Sequence, residues 1–172
     1  TTNYIDLLKN EHSNKEKIST LQEYFLVGLN QNTTKLILEI KTSNIGGTNR
    51  TKKLIDILIK NLPENANHIN LEFILFDFEA AIYLKKSLPS FLVHYLEGDK
   101  SASQIYESGL NGMDYHFDLI LNNPKLIKEF KSYGLKTNSW TVNDFEIAKK
   151  LDNYGIDCIT TDYPELFKQK GL

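Results

Sequence analysis

The sequence has few of the residues that mark disulfide scaffolds and metal centres. Cys158 is the only cysteine in 172 residues, so an intramolecular disulfide is excluded and the thiol cannot by itself form a metal site. No pair among the four histidines has the spacing of a zinc site. Cys158 lies in an apolar stretch, which predicts a buried strand residue.

Long apolar runs and a strong charge of one sign are also missing. No apolar run approaches the roughly 20 residues that cross a membrane, so no transmembrane segment is expected. No charged start followed by an apolar core precedes the first periodic segment, so we expect that any targeting peptide was removed or never existed, and the sequence indicates no compartment. Twenty basic and 22 acidic residues leave a formal net charge of −2. Without a basic stripe interleaved with aromatic residues, nucleic acid is not expected as a partner.

Short β-rich runs alternate with helical patterns along most of the chain. They predict six strands, at residues 35–41, 69–76, 91–96, 113–117, 136–142 and 157–162. From the second run onward the starts are about 22 residues apart, which suits one strand, one helix and two short loops. The pattern predicts βα units on a parallel sheet and a single domain over residues 1–172.

Polar residues at predicted helix starts act as candidate caps. Thr20 with Glu23 is expected to open an amphipathic helical turn, and Asp77 is expected to cap the helix that ends before Pro89. Asn143 is interpreted as a helix cap rather than a substrate contact. Asp162 either supports the site or caps the helix that begins at Pro164, and the cap is the favoured reading.

Glu39 and Lys41 end the first run. Residues two apart on a strand point the same way, and reactive groups of parallel barrels collect at the carboxyl ends of the strands. A carboxylate beside an ammonium there can hold a divalent cation and a phosphate oxygen. Spacing alone favours a surface ion pair on an edge strand. Trp140, at the end of the fifth run, fits either the mouth of a barrel or its core.

Other polar residues near strand ends are weaker candidates. Glu97 follows the third run and fits either a pocket or a solvated loop. His94 and His116 lie inside strand patterns, where a histidine is usually a hydrogen-bonded wall residue. Tyr115 and His116, in a G-x-D-Y-H stretch, are the better pocket candidates.

Three segments carry a resemblance to a known family. They are Leu38-Glu39-Ile40-Lys41, Trp140-Thr141-Val142-Asn143 and Thr161-Asp162-Tyr163-Pro164. In this order they resemble the later part of a glycerophosphodiester phosphodiesterase, whose sequences typically carry L-E-I-K, then W-T-V-N and T-D-x-P. The resemblance covers about residues 18–166 and implies a TIM-type (β/α)8 barrel, of which this chain supplies about six βα units.

The front motifs of that family are missing. Its sequences begin with H-R-G, E-x-D and H-D segments, and nothing in residues 1–35 matches them. We therefore expect the chain to be the C-terminal part of the barrel and to be inactive alone. The missing strands are expected from a front segment or from a second copy.

The resemblance implies hydrolysis of a small-molecule glycerophosphodiester to an alcohol and glycerol 3-phosphate. It implies a divalent cation, Ca²⁺ or Mg²⁺, bound by Glu39, with Lys41 acting catalytically near the phosphate. Trp140, Tyr115, His116 and Glu97 become candidate substrate contacts. A catalytically inactive barrel that serves as a ligand-binding or regulatory module, and a related phospholipase D-like lyase, remain alternatives.

Overall fold

Strands and helices alternate in a computed structural model that describes residues 6, 17–31 and 33–172. Within these residues the elements, in chain order, are α1 (Leu21–Gly28), β1 (Leu36–Ile40), α2 (Gly47–Lys60), β2 (Leu71–Leu75), α3 (Phe78–Ser87), β3 (Leu92–Tyr95), α4 (Ala102–Glu107), β4 (Gly112–His116), α5 (Phe117–Asn122), α6 (Lys125–Ser132), β5 (Lys136–Trp140), α7 (Phe145–Asn153), β6 (Cys158–Ile159) and α8 (Pro164–Gln169).

All six strands are parallel and pair in chain order from β1 to β6. The six predicted strands are therefore confirmed, although β6 is only two residues long. Sheet and helices together form a half-barrel that matches part of a TIM-type barrel. Since every strand runs the same way, all six carboxyl ends lie at the same edge of the sheet. The predicted site residues lie at this edge.

The core lies between the convex face of the sheet and the helices. Strand residues on this face, such as Phe73, Val93 and Met113, are completely buried, as are Ile55 of α2 and Phe130 of α6. Full burial of one such side chain stabilises the fold by about 1.5–3 kcal/mol. Because side chains alternate along a strand, the intervening residues point to the opposite, concave face.

The helix caps were predicted only in part. Thr20 forms the capping box with Glu23, and Asp77 Oδ1 accepts a hydrogen bond from the Ala80 amide at 3.0 Å, so these two predictions are confirmed. The prediction for Asn143 is wrong. The neighbouring Asp144 caps α7 and accepts a hydrogen bond from the Ile147 amide at 3.0 Å.

Asp162 and Cys158 also differ from expectation. No side chain caps α8, so Asp162 is not its cap. Cys158 does lie in a strand, but its side chain is exposed. It lines the concave face of the half-barrel, on the short edge strand β6, where no helix of the described part of the chain covers it. None of the helices among the residues the structure describes has the length and apolar composition needed to cross a bilayer.

Candidate active site

The concave face of the sheet carries both a cavity and a row of polar side chains. The cavity has a volume of about 460 Å³, and its lining includes Ile37, Ile74, His94, Asp114 and Asn138. Nearer the carboxyl ends of the strands lie the side chains that we call the mouth. The mouth consists of Glu39, Lys41, Phe76, His116 and Trp140.

Glu39 and Lys41 form an ion pair at the mouth, as their spacing on β1 predicts. The Glu39 side chain is 29% exposed and that of Lys41 is 74% exposed. Glu39 Oε1, the atom nearest Lys41, is itself buried, and the Lys41 ammonium is its partner. A ligand at this oxygen would therefore compete with a single flexible side chain.

Aromatic rings continue the mouth from Lys41 across the sheet. Lys41 Nζ lies 5.9 Å from the centre of the Phe76 ring, and the Phe76 and Trp140 rings meet edge to face at 5.5 Å. Trp140 meets His116 in the same manner at 5.1 Å. We call Phe76, Trp140 and His116 the aromatic wall. The structure therefore brings Glu39, Lys41 and Trp140 to one opening.

The Trp140 side chain is fixed at its polar end. Its indole Nε1 donates a hydrogen bond to the Asp114 carbonyl oxygen at 2.8 Å, and the residue is only half-buried. Trp140 is thus a wall residue rather than a core residue. Because the N–H is already used, the indole offers an apolar ring to a ligand.

Tyr115 does not reach the mouth, which corrects the expectation that it lines the pocket with His116. It is 1% exposed, packs against Tyr95 and Phe130, and donates a hydrogen bond from its hydroxyl to the Lys100 carbonyl oxygen at 2.9 Å. Adjacent strand residues point to opposite faces, so Tyr115 and His116 could not both line the pocket. The burial of its hydroxyl raises the pKa of Tyr115.

Glu97 and His94 lie apart from the mouth residues. Glu97 is exposed in the loop after β3, and its contact with substrate stays a prediction. His94 lies deeper on the concave face, with Nε2 3.4 Å from Glu72 Oε2, and Glu72 also pairs with Lys35. His94 is thus a wall residue of the cavity, as its strand position indicated.

Sequence reasoning missed Asp114. This residue is 1% exposed on the concave face, and its Oδ1 has no hydrogen-bond partner. Burial raises its pKa to about 6, the nearby negative charge of Glu39 adds to this shift, and Asn138 and His94 oppose it. The alternation that places His116 at the mouth also places Asp114 on the same face, so the signal was present in G-x-D-Y-H.

The raised pKa of Asp114 predicts a pH-dependent stability. Between its ordinary pKa of 3.8 and the folded value of about 6, the unfolded chain releases this proton before the folded chain does. The contribution of Asp114 to the free energy of unfolding is therefore complete below about pH 4 and lost by about pH 6. We expect the free energy of unfolding to decrease by roughly 3 kcal/mol over this range. Urea unfolding across this range measures it. Asp114→Asn should remove the decrease, whereas Asp152→Asn, at an exposed carboxylate of α7, should retain it; an unchanged slope in Asp114→Asn would assign the titration to another group.

Glu39 fits a divalent cation as one ligand of several. Its carboxylate is a hard oxygen donor at the mouth of the cavity, which suits Ca²⁺ or Mg²⁺. Within the residues the structure describes, no group of three or more His, Cys, Asp or Glu side chains is arranged to hold a metal ion. Further oxygen ligands would have to come from water, from a bound phosphate or from other protein segments.

The comparison with family models identifies the chain. The model of the glycerophosphoryl diester phosphodiesterase family matches residues 4–166. The chain belongs to this family. The resemblance carried by the L-E-I-K, W-T-V-N and T-D-x-P segments is thereby confirmed. No curated protein sequence matches the chain.

Solved structures of phosphodiesterases share the fold. A glycerophosphodiester phosphodiesterase from Parabacteroides distasonis is 27% identical, with a TM-score of 0.92 over 99% of this chain and 71% of that one. An Oleispira antarctica phosphodiesterase, solved in complex with the product sn-glycerol-3-phosphate, is 25% identical, with a TM-score of 0.71 over 90% of this chain and 62% of that one.

A more distant structure shows the fold alone. It is a putative glycerophosphoryl diester phosphodiesterase from Silicibacter pomeroyi, 20% identical, with a TM-score of 0.75 over 88% of this chain and 57% of that one. The chain thus spans between 57% and 71% of the length of these three proteins.

Proposed function

We propose that this protein hydrolyses a glycerophosphodiester to an alcohol and glycerol 3-phosphate with the help of a divalent cation, Ca²⁺ or Mg²⁺. Family membership over residues 4–166 supports the reaction class. The observation that carries the proposal is the placement of the Glu39–Lys41 ion pair beside the aromatic wall at a single opening. The glycerol 3-phosphate bound to the Oleispira relative has the two parts that such an opening suits, an anion and a carbon chain.

Glu39 is proposed to be a ligand of the cation. Among the described residues its buried oxygen is paired only with the flexible Lys41 ammonium, so a cation would compete with one mobile side chain for this position. A bound divalent cation would polarise the phosphate and offset the negative charge that builds on its oxygens.

Lys41 is proposed to contact a phosphate oxygen. Its side chain is largely exposed, and its flexible stem allows the ammonium group to donate to a phosphate while remaining near Glu39. Hydrogen bonds between charged groups are about twice as strong as those between neutral ones. Lys41 would therefore stabilise charge on the substrate without binding the cation.

Trp140 and His116 are proposed to contact the carbon chain of the substrate. The Trp140 indole N–H is used by the Asp114 carbonyl, so the ring contributes apolar surface. His116 Nδ1 accepts a hydrogen bond from the Asp118 amide at 3.3 Å, which leaves Nε2 as the ring nitrogen that would contact a substrate hydroxyl.

Proton transfer needs groups beyond those described. The resemblance assigns it to histidines of the H-R-G and H-D segments, which residues 1–35 do not contain. We therefore expect residues 1–172 alone to bind glycerol 3-phosphate and cation without turnover. Completion of the sheet by a front segment or by a second copy remains part of the proposal.

Phosphorus NMR of the reaction products tests the proposed reaction. The protein expressed from its complete gene is incubated with glycerophosphocholine or glycerophosphoethanolamine and Ca²⁺ or Mg²⁺. We expect glycerol 3-phosphate, an open monoester, to accumulate. A cyclic phosphate would instead indicate a lyase. Unchanged substrate, together with measurable binding of glycerol 3-phosphate, would indicate a ligand-binding module.

A further inference from the structure

Asn143 joins the loop after β5 to the loop after β6. Its Nδ2 donates a hydrogen bond to Asp162 Oδ2 at 2.8 Å. Its Oδ1 accepts one from the Asp162 amide at 3.0 Å and one from Thr161 Oγ1 at 3.3 Å. One side chain thus connects the W-T-V-N segment to the T-D-x-P segment, 19 residues away.

Neither residue of this pair is needed to start a helix. Asp144 caps α7, and α8 has no side-chain cap. Both Asn143 and Asp162 are exposed, so burial does not explain their pairing either. The role of these hydrogen bonds therefore lies in the connection between the loop after β5 and the loop after β6.

The connection extends strand pairing beyond a very short strand. The Thr160 amide donates to the Ser139 carbonyl oxygen and the Val142 amide donates to the Thr160 carbonyl oxygen, both at 2.8 Å. Strand β6 ends at Ile159, so these two bonds and the Asn143 bonds hold the loops together where the regular ladder stops.

Trp140 lies only three residues before Asn143, at the end of β5. Its indole is held at the tip by the hydrogen bond to the Asp114 carbonyl oxygen, and its ring edge meets Phe76 and His116. The backbone that follows Trp140 is held by the β6 loop. A tryptophan fixed at its tip needs a fixed backbone to keep one ring orientation, and Asn143 supplies this on the carboxyl side.

We propose that the Asn143–Asp162 pair is a latch that positions Trp140 in the aromatic wall. The latch makes no contact with the ring and acts through residues 141 and 142. This role is independent of the proposed reaction, because it concerns the orientation of the indole and not the fate of a substrate.

Trp140 is the only tryptophan, so intrinsic fluorescence of the 172-residue chain reports it directly. Asn143→Ala removes all three side-chain hydrogen bonds. We expect a red-shifted emission maximum and stronger acrylamide quenching. The ratio of open to closed loop should increase at least about fivefold, because the loss of even one ordinary hydrogen bond produces about that change. Asn143→Asp places two carboxylates opposite each other and should have at least this effect. Adding Asp162→Asn lets residue 162 donate to residue 143, the reverse of the wild-type hydrogen bond, and should return the emission toward wild type.

Asp144→Ala is the matched control. It removes one hydrogen bond at the next residue, the helix cap, and should lower the melting temperature without changing Trp140 emission. Wild-type emission and quenching in Asn143→Ala, or an equal change in Asp144→Ala, would overturn the latch. If Asn143→Ala does not fold, the doubly substituted chain provides the test. Emission that stays at the Asn143→Asp value after Asp162→Asn is added, rather than returning toward wild type, would also overturn the latch.

Discussion

Glu39→Gln is expected to abolish the cation-dependent part of glycerol 3-phosphate binding. Glutamine keeps the size and one oxygen of the side chain but removes the negative charge that a hard divalent cation requires. Because a bound cation would offset the negative charge of the phosphate, its loss should reduce affinity by at least about tenfold. Calorimetric titration of the 172-residue chain with and without Ca²⁺ or Mg²⁺ measures this. In the protein from the complete gene, metal-dependent hydrolysis should be lost as well.

A matched carboxylate provides the control for this result. Glu129→Gln makes the same chemical change at an exposed position of α6 in the helical layer, and it should leave cation dependence intact. Circular dichroism of both variants checks that the fold is kept. A Glu39→Gln protein whose activity survives and still requires the metal would show that Glu39 is not a ligand.

Lys41→Met is expected to weaken glycerol 3-phosphate binding whether or not the cation is present. A hydrogen bond between charged groups is worth about 1.5–3 kcal/mol, so affinity should decrease by about tenfold or more. Cation affinity should change little or rise, because a positive neighbour of the ion is removed. Calorimetry with the cation alone and with product separates the two effects.

The kinetic form of the Lys41→Met effect indicates when the contact forms. If Lys41 binds ground state and transition state alike, KM should rise; if the contact tightens as charge develops, kcat should fall as well. Lys128→Met, at an exposed lysine of α6, is the control. Wild-type binding and kinetics in Lys41→Met would show that the Glu39–Lys41 pair is only a surface ion pair.

Strand periodicity explains why part of the site could be predicted. Glu39 and Lys41 are two residues apart on one strand end, so their shared direction followed from the sequence, and the ion pair agrees. Tyr115 and His116 are adjacent, and the same rule separates them. Applied consistently, it would have selected His116 with Asp114 and assigned Tyr115 to the core.

Most of the features that could not be predicted depend on partners that are distant in the sequence. Asn143 has the local pattern of a helix cap, but Asp144 has it as well, and only the fold shows that Asn143 is taken by Asp162. The exposure of Cys158 likewise depends on which face of β6 is covered by helices, which an apolar stretch does not reveal. Phe76 joins the mouth because it continues the inward alternation beyond the end of β2.

A crystal structure of the protein with glycerol 3-phosphate and Ca²⁺ or Mg²⁺ tests the proposed roles of Glu39, Lys41 and Trp140 together. We expect a cation bound to a Glu39 carboxylate oxygen, a phosphate oxygen within hydrogen-bond distance of Lys41 Nζ, and glycerol carbons packed against the Trp140 ring. Product bound away from these three residues, or a cation held by other side chains while Glu39 remains paired with Lys41, would contradict these roles.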